Sequence, residues 1–306
     1  MVPTGGPIGP QAPAVRGGGF HAWPRLYPTW DRRLASLTIV SSWAAGWLDA
    51  HGDPTPVVDV RARVLSAAAQ AGVPLPLASL ALCSFMPTTL ERLREATHAA
   101  ALAARLGPLP PIAVGELAGA PVVVMPLTFG APAASAEVEE LLATGVRTLL
   151  IGGATGSLQP HVAIGAYVVP TGAIREEGTS YHYAPADQPA RAGGPAMRAL
   201  WEAAEASGRH AVQGRVWTTD APYREFAGKV RRYQSDGVLG VEMESSALMV
   251  VAEARGVDLG VLLTVSDHVF DPAWPNIFGT DPFRANCVAL ADVLLAAARR
   301  LLNSPG

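Results

Sequence analysis

The feature that most limits what this chain can fold into begins at Gly119. Pro121-Val-Val-Val-Met-Pro-Leu127 is a continuous, largely β-branched run, the pattern of a strand buried on both faces. After Gly130-Ala-Pro132 the spacing predicts a helix over 134–144, with Val138, Leu141 and Leu142 on one face and Glu137, Glu139 and Glu140 on the other, closed by Gly145. Further strands are predicted at 147–151, 167–170, 214–218 and 259–265, and helices at 243–255 and about 283–302. Upstream, helices are predicted at 57–71, stopped by Gly72 and Pro74, and at 89–106, stopped by Gly107-Pro108. Strand–helix alternation with right-handed crossovers predicts one three-layer α/β domain with a twisted, mostly parallel central sheet flanked by helices. It is expected to occupy residues 31–303, with 31–115 its divergent part. Residues 1–30, broken by Gly5-Gly6-Pro7 and Gly17-Gly18-Gly19, are expected to be a flexible tail.

Composition narrows the function. Of 306 residues 49% are hydrophobic and 16% charged, enough for a large core. The net charge of −3 comes with no basic cluster, and Lys229 is the single lysine, which argues against a nucleic-acid partner. Cys83 and Cys287 belong to no CxxC or Cys/His pattern, so neither a disulfide framework nor a metal site is expected. The N-terminus has no apolar signal segment, and the longest apolar stretch, residues 34–48, is too short to span a bilayer. A cytoplasmic protein without membrane contact is expected.

Three segments carry candidate chemistry. Gly152-Gly-Ala-Thr-Gly-Ser157 is neither a P-loop nor a dinucleotide fingerprint; it reads equally as a tight turn or as a backbone nest against a ligand, which puts Thr155 and Gly156 among the candidates. In Val241-Glu-Met-Glu-Ser245, Glu242 and Glu244 are acids at a solvated helix start, or acceptors for two hydroxyls of a sugar with Met243 packed beside it. Ser266-Asp267-His268 follows a predicted strand, where α/β sheets collect ligands. Asp267 there is a helix cap or a half-buried general acid.

Taken together, Gly130–Leu141, Gly153–Pro160, Glu177–Tyr183, Thr219–Glu225, Val241–Ser245 and Thr264–His268 resemble, in order and spacing, the nucleoside phosphorylase/nucleosidase superfamily. The resemblance covers residues 122–270. It implies an enzyme that breaks the N-glycosidic bond of a nucleoside, with Glu244 on the ribose hydroxyls, Met243 under the sugar and Asp267 protonating N7 of a departing purine. It also implies Tyr223 stacking on the base, phosphate as the one possible co-substrate, no cofactor, and a homo-oligomer.

The departures from that family lie on the nucleophile side. Ile151 stands where phosphorylases of the family carry an arginine. Phe85-Met-Pro-Thr-Thr89 replaces their Gly-Asp-Pro-x-Arg loop, and Thr128-Phe-Gly130 a Gly-x-Gly. Arg92, Arg105 or a neighbouring subunit are the candidates to restore a cation, because Ile and Thr cannot replace bidentate arginine contacts. The family's nucleosidases activate water with a glutamate near Thr89, where this chain has Glu91 two residues on. On these residues the expectation leans slightly toward hydrolysis, the alternatives being a phosphorylase with a rebuilt phosphate site and a nucleoside-binding or atypical member without phosphorolytic turnover.

Overall fold

The computed structural model describes residues 55–304; the tail expected over 1–30, its aromatic residues, and the apolar stretch 34–48 lie outside that range. The strands are β1 (Leu80–Ser84), β2 (Ala100–Ala101), β3 (Ala113–Leu117), β4 (Ala120–Pro126), β5 (Thr148–Ser157), β6 (Tyr167–Glu176), β7 (Ala190–Arg191), β8 (Ala211–Thr219), β9 (Gly240–Glu242) and β10 (Asp258–His268). The helices are α1 (Val60–Ala71), α2 (Pro87–Thr97), α3 (Ala131–Ala143), α4 (Gly194–Ala206), α5 (Ala227–Ser235), α6 (Ser245–Arg255) and α7 (Asp281–Asn303).

The strands form one sheet in the order β2-β3-β4-β1-β5-β10-β6-β8-β9, with β7 paired to β6 off this path. Its centre, β4-β1-β5-β10, is parallel, and these are the strands with near-continuous apolar runs: all five residues of β1 are buried. Antiparallel pairs lie at the β2–β3–β4 edge and where β10 meets β6. Because β9 pairs back onto β5, the strands β5, β10, β6, β8 and β9 close a ring. One core packs α1, α3 and α6 onto one face, through Ala68, Val138, Leu141, Leu248 and Val251. A second packs α2, α4 and α7 onto the other, through Leu93, Leu200, Leu290 and Leu294. The three expected layers are therefore present, and both cysteines are buried and free.

Several boundaries differ from expectation, each for a local reason. Gly152–Ser157 is not a turn: β5 runs through it, paired with Leu262–His268 of β10. Its small residues are required by close packing, since a Cβ on Gly152 would lie 2.5 Å from a Leu290 methyl. The helix expected at 89–106 starts earlier, with Pro87 in its first turn, and ends at His98 in the left-handed conformation (φ 50°). The alanines beyond it join the sheet edge as β2. Helix α6 starts at Ser245, two residues late, because β9 continues through Glu242.

Candidate functional site

The parallel strands β5 and β10 deliver Thr155, Gly156, Ser266 and Asp267 to their carboxyl ends, where open α/β sheets leave room for a ligand. The β9–α6 junction adds Glu242, Met243 and Glu244, and a 3-10 turn, Pro222–Arg224, adds Tyr223. All eight residues singled out from the sequence line one cavity of about 460 Å³. A larger depression, about 580 Å³, beside Arg191, Met249 and Glu253 holds none of them; size alone is a poorer guide here than converging polar groups.

The two acids of the β9–α6 junction differ in what they touch. Glu242 Oε2 accepts the backbone N–H groups of Glu244 and Ser245 at 2.9 and 2.7 Å, and Thr218 Oγ1 donates to its Oε1. It therefore caps the start of α6 and fixes the segment that carries Glu244. Glu244 Oε1 accepts the N–H of Gly130 at 2.6 Å, which Gly130 can aim because it holds φ 97° ahead of α3. Burial, then the charge of Glu242, raises the Glu244 carboxyl to about 8, and burial raises Glu242 as well.

Asp267 is buried, with both oxygens engaged. Ser266 Oγ donates to Oδ1 at 2.6 Å and Trp274 Nε1 to Oδ2 at 2.8 Å. The segment carrying Trp274 is tied to the strand end by Ile277 N–H to Ser266 O (3.0 Å) and His268 N–H to Pro275 O (3.1 Å). Trp274 itself takes a positive φ of 44°. Gly156 is the floor beneath: a Cβ there would lie 2.4 Å from Val269 Cγ2 and 3.0 Å from Asp267 Oδ2.

The rim is aromatic. Tyr223 is 99% exposed at the mouth, and Phe129, Trp274 and Phe278 are also exposed. Phe85 stacks on Phe129 with ring centroids 5.7 Å apart. Phe85, Phe129, Trp274 and Glu225 line the cavity although no sequence pattern marked them as contacts. Phe85 stood out only as a replacement for glycine, and Glu225 only as the last residue of the Thr219–Glu225 segment.

The residues proposed for the nucleophile do not gather. Ile151 is fully buried in β5, and Thr89 is buried with its hydroxyl donating to Cys287 O at 3.0 Å. Glu91 and Arg105 are exposed, and Arg92 pairs with Asp292 at 2.9 Å. Among the described residues no lysine, arginine or histidine lines the cavity, and no cluster of three His, Cys, Asp or Glu is placed to hold a metal ion. No described helix is long and apolar enough to cross a membrane.

A twisted sheet with two helical layers and a largely apolar cavity holding converging acids at the β5–β10 strand ends defines an α/β enzyme-type scaffold. The chain belongs to the phosphorylase superfamily, whose family model matches residues 79–301. Among its relatives is the uridine phosphorylase of Klebsiella aerogenes, 34% identical over 201 residues, 61% of this chain and 78% of that one. The guanosine phosphorylase of Halorubrum lacusprofundi is 33% identical over 151 residues (49% and 63%). The purine nucleoside phosphorylase, DeoD-type, of Bacillus cereus is 32% identical over 163 residues (51% and 67%).

Proposed function

We propose that this protein cleaves the N-glycosidic bond of a nucleoside and passes the pentosyl group to phosphate. The observation that carries the reading is the meeting of Glu244, Met243 and Asp267 in one cavity at the ends of β5 and β10. Breaking a C1′–N bond leaves positive charge on the sugar and negative charge on the base. Glu244 sits with the sugar, accepting its 2′- and 3′-hydroxyls over Met243, and Asp267 serves the base. Asp267 favours a purine, whose N7 takes a proton as the bond breaks, although the relatives include phosphorylases of uridine as well as of guanosine.

The acceptor is where the sequence-based lean changes. Ile151 and Thr89 lean toward hydrolysis, and the absence of a cation among the described lining residues favours it as well. The relatives are named as phosphorylases, and transfer to phosphate fits that company better. In this reading a homo-oligomer supplies the missing cation from a neighbouring copy. Incubating the protein with purine and pyrimidine nucleosides, with and without phosphate, tests it. Phosphate-dependent base release with ribose 1-phosphate as product supports the proposal. Equal release without phosphate, yielding free ribose, turns it to hydrolysis, and no release from any nucleoside refutes both.

A further inference from the structure

Four carboxyl groups line the cavity, Glu225, Glu242, Glu244 and Asp267, and among the described residues only Glu225 has no hydrogen-bond partner. It follows the Pro222–Arg224 turn and is half-buried. Among the described residues, no hydrogen bond or ion pair reaches it. The neighbouring Arg224 lies over the ring of Phe226 at 4.5 Å, and Lys229 pairs with Glu176 at 2.7 Å. The titratable groups that share the cavity with Glu225 are Tyr223, Glu242, Glu244 and Asp267, with no cation among them. Burial and then the charge of Asp267 raise the Glu225 carboxyl to about 7, so it keeps its proton to near neutrality, where a general acid works best.

Asp267 is in the opposite situation. An indole N–H only donates, so Oδ2 facing Trp274 cannot carry the proton toward it. Ser266 Oγ holds Oδ1 in the same way, with Thr155 O at 3.2 Å as its other acceptor. A protein donor thus holds each oxygen of Asp267, and among the described residues the lining carboxyl that no donor reaches is Glu225.

We propose that Glu225 supplies the proton to the departing base, while Asp267 is the fixed neighbour that holds that proton on Glu225 until the base draws it away. This rests on the reading that a nucleoside C1′–N bond is broken here. The electron pair of that bond goes to the base, and the Glu225 proton goes to a base nitrogen, N7 in a purine. C1′ takes an oxygen lone pair from hydrogen phosphate, whose own proton is released to solvent, and Glu225 is reprotonated from solvent once the base has left. The net products are the free base and the sugar 1-phosphate.

The test compares pH–rate profiles of wild type, Glu225→Gln and Asp267→Asn on guanosine and on 7-methylguanosine, whose base carries a positive charge and leaves without protonation. Glu225→Gln is expected to slow guanosine cleavage by about 10²–10⁴, to abolish the fall in rate as pH rises through neutrality, and to cost far less with 7-methylguanosine. Asp267→Asn is expected to keep that fall but move it to lower pH, because the charge that raises Glu225 is gone. In a Glu225→Ala variant, added formic acid is expected to restore part of the guanosine activity. If Asp267→Asn abolishes the limb and Glu225→Gln keeps it, Asp267 holds the proton and the inference is overturned. Equal losses on both substrates for Glu225→Gln overturn it as well. A wild type that cleaves neither substrate refutes the functional reading instead, and this inference with it.

Discussion

Replacing Glu244 by Gln isolates the charge of one acceptor. The variant keeps the shape of the side chain and an oxygen that can still take the Gly130 N–H, now 2.6 Å from Oε1, so the loop before α3 has no reason to move. A hydrogen bond from a hydroxyl to a charged group is worth about 1.5–3 kcal/mol and to a neutral one about 0.5–1.5. The difference of about 1–1.5 kcal/mol is roughly a five- to twelvefold change at about 1.4 kcal/mol per decade. The ratio of kcat/KM for a riboside over its 2′-deoxyriboside is expected to fall by that factor. The pH dependence adds a second readout. Burial and the neighbouring Glu242 raise Glu244 to about 8, so the group is neutral below that pH and charged above it. The riboside preference of wild type is therefore expected to climb from about pH 7 to about pH 9, and that of Glu244→Gln to stay flat. Steady-state kinetics on the two sugars across this range measures both. An unchanged ratio in the variant at pH 9 would refute the placement of Glu244 on the 2′-hydroxyl.

Trp274→Phe removes the donor to Asp267 Oδ2 while keeping an aromatic rim, and is expected to lower kcat for an ordinary purine nucleoside more than for a nitrophenyl riboside; kinetics on both substrates checks it. Gly156→Ala drives a Cβ to 2.4 Å from Val269 Cγ2 and is expected to destabilise the fold by about 1–3 kcal/mol, read as a lower Cm in urea. Thr218→Val takes a hydroxyl from the buried Glu242 and is expected to cost about 1–3 kcal/mol and to weaken riboside binding through the segment Glu242 fixes, measured by urea unfolding and by KM.

How much of this was legible in the sequence depended on how local the determining contact is. The β-branched run of β4 and the apolar run of β10 state their own burial, and both appear where the pattern puts them. Helix α4 went unseen because its start, Gly193-Gly194-Pro195, reads as a loop. Its N-terminal donor is satisfied from afar, Ala196 N–H donating to Asp258 Oδ2 at 2.7 Å across 62 positions. The glycines of β5 read as a turn or a nest for the same reason: what demands them is distant side chains, Leu290 and Leu294 of α7 at Gly152, Leu263 at Gly153 and Val269 at Gly156. Seven of the eight candidate residues lie where β5, β9 and β10 end or α6 begins, positions that sequence does mark, whereas Tyr223 in the Pro222–Arg224 turn stood out only through the resemblance. Glu225 and Trp274 lie on connecting segments that fold over the cavity, and only the folded chain brings them beside Asp267.

The two halves of the cavity have consequently different status. The side proposed for base and sugar is built from β5, β9 and β10, elements locked by the central sheet, and its acids are set by backbone contacts: Glu242 by the start of α6, Glu244 by Gly130. The side where phosphate would approach presents the Phe85–Phe129 stack, with Ile151 buried in the strand behind. An anion placed among the described residues alone would face four carboxyl groups and three phenyl rings, with no donor of positive charge. Desolvating a phosphate dianion against such a wall is strongly unfavourable. The carboxyl groups respond to the same wall, and burial without a cation is what raises Glu225 and Glu244 toward neutrality. A cation brought in by a neighbouring copy would therefore do two things at once. It would hold the phosphate, and it would lower the pKa values of those acids, ionising Glu244 for the sugar hydroxyls. Phosphate affinity and riboside preference are thereby coupled through one missing charge.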